Sequence, residues 1–187
     1  MTRKVFTDTE TTGIDDKLNA IIEVGCIIEV DGDVVDTFEF KCKPLPGDMV
    51  CQAALDVNKT SYETMMSYSP PDKTYRELIK KFGSYVNKFD KYDKLSFYGW
   101  NCKFDFDFLR SFFAKQGDKY FGSYFFWPPI DVAVLVSEWL GDRRAEIPDF
   151  HLNTVAEYLK LDLDTSKFHG ALFDAEVTRK IYREILS

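Results

Sequence analysis

Two β-rich runs joined by a short polar turn constrain the fold of this chain more than any other feature. Residues 21–30 (IIEVGCIIEV) and 34–42 (VVDTFEFKC) are rich in β-branched and aromatic residues, and Asp31-Gly32-Asp33 separates them. An Asp-Gly pair between such runs is a strong signal for a β-hairpin. Residues 3–8 predict a further strand ahead of the hairpin, so we expect the chain to begin with three antiparallel strands.

The remainder of the chain alternates helical and extended patterns, which predicts a mixed α/β sheet flanked by α-helices. Residues 43–71 contain two short helical stretches between prolines, residues 72–90 predict a helix, and residues 95–99 predict a strand. Further helices are expected near residues 103–116, 130–140, 151–160 and 170–186. No repeat or linker interrupts the pattern, so residues 1–187 are expected to form a single domain.

Charge and cysteine usage narrow the class of protein. The chain carries 31 acidic and 24 basic residues, a net charge of −7. This balance argues against a protein that holds long stretches of duplex nucleic acid, because such proteins need a basic face. No apolar run is long enough to span a membrane, and no signal peptide is evident. The cysteines lack the spacing of a zinc site, so reduced, mostly buried thiols and a cytoplasmic location are expected for Cys26, Cys42, Cys51 and Cys102.

Aromatic residues are concentrated in one part of the chain. Fourteen of them fall between Phe97 and Trp127. We interpret this concentration as a bulky hydrophobic core.

Two acidic residues lie close together on the first predicted strand. Because side chains alternate along a strand, Phe6, Asp8 and Glu10 share one face. Two carboxylates held there by the backbone converge on one small volume. The alternative is an exposed strand end that leads into a turn at residues 11–13.

The helix near residues 103–116 contains two acids with different surroundings. Asp105 has Phe108, Leu109 and Phe112 at positions i+3, i+4 and i+7, which places it on the apolar face. Asp107 instead neighbours basic residues at i−4 and i+3 and is expected on a solvated, ion-pairing face. A carboxylate on a buried face must be paired, protonated or bound to a metal ion.

The last helix repeats this contrast. Asp174 shares its face with Ala171, Val177 and Ile181, whereas Glu176 faces basic residues. His169 lies five residues before Asp174, about 140° around an ideal helix, so we expect it on the preceding loop. A lone histidine is more often structural, but its place just before an inward acid favours a functional role.

Four acids that compete for one core would repel one another and raise one another's pKa values. Divalent cations resolve this conflict. An all-oxygen set of ligands without cysteine favours Mg²⁺ or Mn²⁺ over zinc.

Three segments, in the expected order, resemble the motifs of the DnaQ-like (DEDDh) 3′–5′ exonucleases of the RNase H-like superfamily. Residues 8–13 (DTETTG) resemble the first motif, residues 101–109 (NCKFDFDFL) the second, usually N-A-x-F-D-x-x-F-L, and residues 169–175 (HGALFDA) the third, H-x-A-x-x-D-A. Cys102 replaces the usual alanine, and Trp100 stands where the family often has histidine. Neither departure affects a ligand position, so they bear on substrate fit more than on activity.

This resemblance implies an RNase H-like mixed sheet and a role for each inward acid. Asp8, Glu10, Asp105 and Asp174 would hold two Mg²⁺ or Mn²⁺ ions, which suit in-line attack of water on a phosphodiester. His169 would act as the general base, a role that suits histidine because its unperturbed pKa is about 6.5. The implied reaction releases 5′ mononucleotides from the 3′ ends of single-stranded nucleic acid.

The resemblance also implies contacts to the terminal nucleotide. Apolar residues among the candidates would stack on its base or wedge beside it, with plain core packing as the alternative interpretation. The candidate contact residues are Thr9, Thr11, Thr12, Ile14, Trp100, Asn101 and Phe104.

Substrate and partner stay open at this point. DNA is favoured, with an exoribonuclease of the RNase T or oligoribonuclease type as the alternative. A polymerase or another replication or repair protein is a possible partner. Two other classes are alternatives: a catalytically silent nucleic-acid-binding module on the same fold, whose mark would be a missing ligand, and a metal-dependent endonuclease. The basic segment 73–94 is either a solvated helix face or a surface that guides a strand or binds a partner.

Overall fold

A five-stranded mixed sheet organises the molecule, which we describe for residues 2–186 from a computed structural model. The strand order is β3-β2-β1-β4-β5; β2 pairs antiparallel with both β1 and β3, whereas β4 pairs in parallel with both β1 and β5. The strands are β1 (Arg3–Thr11), β2 (Ile21–Val30), β3 (Asp33–Lys41), β4 (Ser96–Gly99) and β5 (Ile130–Asp131). The predicted α/β class and the three leading antiparallel strands are confirmed.

The hairpin between β2 and β3 forms where the sequence predicts it. Val30 pairs with Asp33, which leaves Asp31 and Gly32 as a two-residue turn. Both turn residues have positive φ, 49° and 104°. This is the backbone conformation that tight hairpin turns require and that the Asp-Gly pair favours.

Seven α-helices cover the sheet within the described residues. They are α1 (Gln52–Val57), α2 (Tyr62–Met66), α3 (Pro71–Gly83), α4 (Lys103–Lys115), α5 (Val132–Leu140), α6 (Leu152–Tyr158) and α7 (Ala171–Glu184). None of the helices between residues 2 and 186 is both long and apolar enough to cross a bilayer. Met1 and Ser187, the ends of the predicted domain, lie outside the described residues.

The helix predicted over residues 72–90 ends early, at Gly83. Polar side chains bond to nearby backbone in the segment that follows: Asn87 Oδ1 accepts from the Phe89 N–H, and Asp90 Oδ1 accepts from the Tyr92 N–H. Such side-chain bonds compete with helical hydrogen bonds. The helical expectation was therefore wrong beyond residue 83.

Each face of the sheet carries its own hydrophobic core. Because side chains alternate along β1, Val5 packs with α3 and α4 on one face, while Phe6 packs with α5, α6 and α7 on the other. The aromatic-rich segment supplies the first core, as expected, and its fully or nearly fully buried members include Phe97, Phe106, Phe113, Phe121 and Phe125.

Helix α7 lies very close to β2 and is held at both ends. At its first turn, Gly25 of β2 has no side chain, and a Cβ there would lie 2.2 Å from the Leu172 nitrogen. Towards its other end, Arg179 and Arg183 pair with the buried carboxylate of Glu29 at 3.0 and 2.6 Å. The position of α7 on the sheet is thus fixed by one small residue and one buried ion-pair network.

We predict that Gly25→Ala lowers the free energy of unfolding by about 3 kcal/mol, because the added methyl collides with rigid helix backbone. Gly122→Ala is the matched control, since a Cβ there meets nothing within 4 Å. Urea unfolding of both variants measures the difference. Equal midpoints for the two variants would show that α7 does not need this close approach.

Candidate active site

Three acidic side chains from two elements converge at the end of the central strand. Asp8 and Glu10 project from β1 on the face that α7 covers, and Asp174 comes from the first turns of α7. Carboxylate oxygens of the three residues lie within 4.8 Å of one another. The expected convergence of Asp8 and Glu10 with an inward acid of the last helix is therefore present.

Asp105 approaches the same strand end from α4, on the opposite side of the sheet. It is 3% exposed, and its Oδ1 accepts hydrogen bonds from the backbone N–H and the hydroxyl of Thr9, at 2.9 and 2.8 Å. Asp105 lies outside the group of three, yet its charge acts on Asp8. Its neighbour Asp107 pairs with Lys103 and Arg110 at the surface, which matches the contrast drawn from the sequence.

Burial and mutual repulsion raise the pKa values of the converging acids. Burial raises the pKa of Asp8 well above its ordinary value, and the charges of Asp105, Asp174 and Glu10 raise it further. For Glu10, burial and then the charges of Asp174 and Glu23 raise the pKa to about 8. The acids cannot all ionise near neutral pH without a compensating positive charge.

The pKa of Asp174 is raised to about 6, chiefly by burial. A hydrogen bond to its Oδ2 from the His169 N–H, at 3.2 Å, opposes this rise. Burial also raises the pKa of Asp105, although the two bonds from Thr9 favour its ionised form.

The residues present fit a hard divalent cation. All the converging donor atoms are carboxylate oxygens, the ligands that Mg²⁺ and Mn²⁺ prefer. Asp174 Oδ1 is buried, and no hydrogen-bond donor within residues 2–186 reaches it. A buried carboxylate oxygen without a donor is available as a metal ligand.

His169 lies on the turn before α7, as expected. Its φ of 69° is in the left-handed region, and its side chain is exposed beside the acids. With Asp8 and Asp174 it lines an open cavity of about 650 Å³. The cavity is large enough to admit a nucleotide.

Several residues that line this cavity were not anticipated from the sequence. Trp100 was expected there, and its Nε1 donates to the Phe150 carbonyl at 3.0 Å, which fixes the indole in the wall. The remaining lining residues are Lys59, His151, Leu152, Asn153, Glu157, Thr165 and Phe168. They come from loops and helix ends whose arrangement the sequence pattern does not specify.

The hydroxyl groups of the three expected threonine contacts all donate to protein acceptors. Besides the bond from Thr9 to Asp105, the Thr11 hydroxyl donates to the Gly13 carbonyl and that of Thr12 to the Met49 carbonyl, each at 2.7 Å. The Thr12 hydroxyl also accepts from the Ala20 N–H, and its residue is fully buried. The Thr11 and Thr12 hydroxyls therefore hold the turn that follows β1, and the Thr9 hydroxyl holds Asp105.

The other expected base contacts lie apart from Trp100. Ile14, Asn101 and Phe104 line a separate shallow cavity of about 290 Å³. Ile14 is 91% exposed, and the ring of Phe104 packs on Phe108 at 4.6 Å between centroids. Trp100 thus lines one cavity, and Ile14, Asn101 and Phe104 line another.

Glu23 lies beside the acidic site and was missed. It pairs with Glu10 across β1 and β2, is 7% exposed, and its Oε1 accepts from the Ala171 N–H at 2.9 Å. A signal was available, because Glu23 and Glu29 are the charged residues inside the apolar run 21–30. Buried charges in such a run require partners.

A mixed sheet with an acidic cluster at the end of its central strand is the arrangement that the motif resemblance implies for an RNase H-like nuclease. Comparison with known proteins gives the family: the family model RNase_T, described as Exonuclease, matches residues 5–182. The chain belongs to this exonuclease family, and its resemblance to the DnaQ-like exonucleases is confirmed.

Individual relatives are more distant. The chain is 26% identical over 178 residues to the PolC-type DNA polymerase III of Thermotoga petrophila, covering 95% of the chain but 11% of that protein. It is 24% identical over 189 residues to Ribonuclease T of Hahella chejuensis, covering 98% of the chain and 83% of that protein. The chain therefore spans about a tenth of the length of the polymerase relatives.

The fold is similar to that of E. coli exonuclease I. The zinc-bound complex of that enzyme with single-stranded DNA superposes with a TM-score of 0.78 at 18% identity, over 99% of this chain and 40% of that one. This similarity confirms the predicted RNase H-like fold.

The raised pKa values predict how pH affects the metal-free protein. Folding raises the pKa of Glu10 from 4.5 to about 8 and that of Asp174 from 3.8 to about 6, so the folded protein retains protons that the unfolded chain releases. These acids therefore lower the free energy of unfolding as pH rises from about 4 to about 8. In EDTA, the melting temperature of Glu10→Gln should fall less between about pH 4 and about pH 8 than that of the wild type.

Adding Mg²⁺ should raise the melting temperature more at pH 8 than at pH 5, because ionised carboxylates bind the cation. An equal effect of Mg²⁺ at both pH values, or an equal pH dependence of Glu10→Gln and wild type, would contradict this account.

Proposed function

We propose that this chain is a metal-dependent 3′–5′ exonuclease that releases 5′ mononucleotides from single-stranded nucleic acid, with DNA favoured. The observation that carries the proposal is the convergence of Asp8, Glu10 and Asp174 at the end of β1, where Asp8, Asp174 and His169 line an open cavity. The exonuclease family supports the reaction class. DNA is supported as the substrate by two similarities. Some relatives are DNA polymerases, and the structurally similar exonuclease I was determined in complex with single-stranded DNA.

The acids would hold two divalent ions, Mg²⁺ or Mn²⁺. When bound, such ions lower the pKa of water and neutralise charge on the phosphodiester. Carboxylate oxygens of Asp8, Glu10 and Asp174 lie within 4.8 Å of one another, and the charge of Asp105 also acts on Asp8, so these four carboxylates would hold the ions. Asp105 uses Oδ1 to hold Thr9, which leaves Oδ2 as its ligand atom.

His169 would take the proton from the attacking water. Its ring is exposed on the turn before α7, while its backbone N–H is tied to Asp174. The bond to Asp174 couples the position of the turn to that of a metal ligand. The imidazole can therefore reach solvent and substrate while the residue keeps its position relative to the acidic cluster.

Residues 1–187 would work as one exonuclease domain, and a polymerase or another replication or repair protein is the proposed partner. The presence of the matching segment within PolC-type polymerases supports this context. The second candidate substrate is RNA, which the similarity to Ribonuclease T favours.

The proposal predicts digestion of a single strand from its 3′ end in the presence of Mg²⁺ or Mn²⁺. Asp105→Asn should lower turnover on the order of 100-fold or more, because it removes a metal ligand. Asp107→Asn is the matched control on the same helix and should leave turnover within about twofold, since Asp107 is paired at the surface. The measurement uses 3′- and 5′-labelled strands resolved on a denaturing gel.

Matched single-stranded DNA, duplex with a mismatched end and short RNA, digested side by side, identify the substrate. A circular single strand should resist digestion, and its cleavage would indicate an endonuclease. If the wild type digests no linear strand, the proposal is wrong, and a nucleic-acid-binding module on the same fold becomes the better interpretation.

His169→Ala should lower turnover by about 100-fold to 10,000-fold, because proton transfer to a positioned base contributes that much. Binding of Mn²⁺ should be retained, since the four carboxylates are intact. Single-turnover kinetics and Mn²⁺ titration by electron paramagnetic resonance measure the two effects. Unchanged turnover would remove His169 from the mechanism.

A further inference from the structure

We propose that Glu23 is a positioning residue that fixes where α7 begins and thereby places Asp174 and His169 opposite Asp8. The inference rests on the proposed nuclease function. Helix α7 lacks a capping side chain, because Gly170 at its N-cap position has none to accept a hydrogen bond from the first turn. Exposed N–H groups at a helix start need acceptors.

Besides Glu39 of β3, which accepts from the Leu172 N–H, Glu23 supplies an acceptor from the neighbouring strand. Its Oε1 accepts from the Ala171 N–H at 2.9 Å, and both residues are buried. A carboxylate at this end of a helix is also favoured by the helix dipole. Lys41 balances the charge, because its Nζ lies 2.8 Å from Glu23 Oε2.

The strand register makes this contact specific to the acidic cluster. Glu23 pairs with Glu10 across the sheet, and Gly25, two residues further on, pairs with Asp8. Gly25 lets the helix backbone approach β2, and Glu23 sets the point at which the helix starts. Together they place the first turn of α7 beside the end of β1.

Two functional side chains depend on this first turn. Asp174 is the fourth residue of α7, and its Oδ2 accepts from the His169 N–H. A shift of the helix start would therefore move a metal ligand and the exposed histidine together. Misplacement of a reacting group by about 1 Å can reduce rate about 100-fold.

Three substitutions at one position separate hydrogen bonding from charge. Glu23→Gln keeps an acceptor oxygen for Ala171 but removes the charge, whereas Glu23→Ala removes both. Glu23→Asp keeps the charge on a side chain one methylene shorter, which withdraws the acceptor from Ala171. Tyr75→Phe is the control for a general loss of stability, because it removes the hydrogen bond to Asp118, which follows the C-terminal end of α4.

We expect Glu23→Ala and Glu23→Asp to lower kcat about 100-fold while KM changes less than about threefold. Their affinity for Mn²⁺ should fall about 10-fold, because a ligand loses its support. Glu23→Gln should keep kcat and Mn²⁺ affinity within about threefold of the wild type. Tyr75→Phe should lower the melting temperature and leave both quantities unchanged.

The measurements are steady-state kinetics on a single strand, Mn²⁺ titration and thermal unfolding of the full chain. Retention of kcat and Mn²⁺ affinity by Glu23→Ala would overturn the inference. So would a Glu23→Gln variant as impaired as Glu23→Ala, because charge rather than hydrogen bonding would then matter. If Glu23→Ala does not fold, the Gln and Asp variants carry the same comparison. If the wild type digests no strand, the proposed function fails, and Mn²⁺ affinity alone still tests the positioning of Asp174.

Discussion

The repulsion between buried carboxylates at the end of β1 is the interaction on which the rest of the structure depends. Asp8, Glu10 and Asp174 lie within one small volume, and burial raises the pKa of each above its ordinary value. Such an arrangement is unfavourable for an isolated chain at neutral pH, because ionised groups at this distance need a compensating charge. The same clustering of carboxylates that lowers the stability of the isolated chain creates a site that a divalent cation would stabilise.

The fold holds the repelling acids together by fixing both elements that carry them, β1 and α7. The central strand β1 pairs with β2 along its whole length and with β4 over residues 4–6, so its backbone has little freedom. Helix α7 is set against the sheet by Gly25 and Glu23 at its start and by Glu29 near its end. Rigid elements can hold like charges together, whereas loops would let them separate.

Much of the fold and of the candidate site could be predicted, because local sequence patterns specify turns and the faces of helices and strands. The hairpin at Asp31-Gly32 followed from turn chemistry, and the inward orientation of Asp105 followed from the helical spacing of its apolar neighbours. Glu23 escaped prediction because its partner, Ala171, lies 148 positions away in the sequence. The early end of α3 escaped because short polar side chains bonded to nearby backbone, which a hydrophobic pattern does not reveal.

The sequence by itself determined which residues are the candidates for the chemistry: acids that interrupt apolar faces, within motifs that resemble one exonuclease family. Periodicity decides which face a side chain occupies, so it can identify Asp8 or Asp174 as inward without any structure. Only the tertiary structure decided how these acids meet, which of them group around one point, and that Trp100 and Phe104 line different cavities. Distances between elements depend on close approach and long-range hydrogen bonds, and these are set by packing between segments remote in sequence.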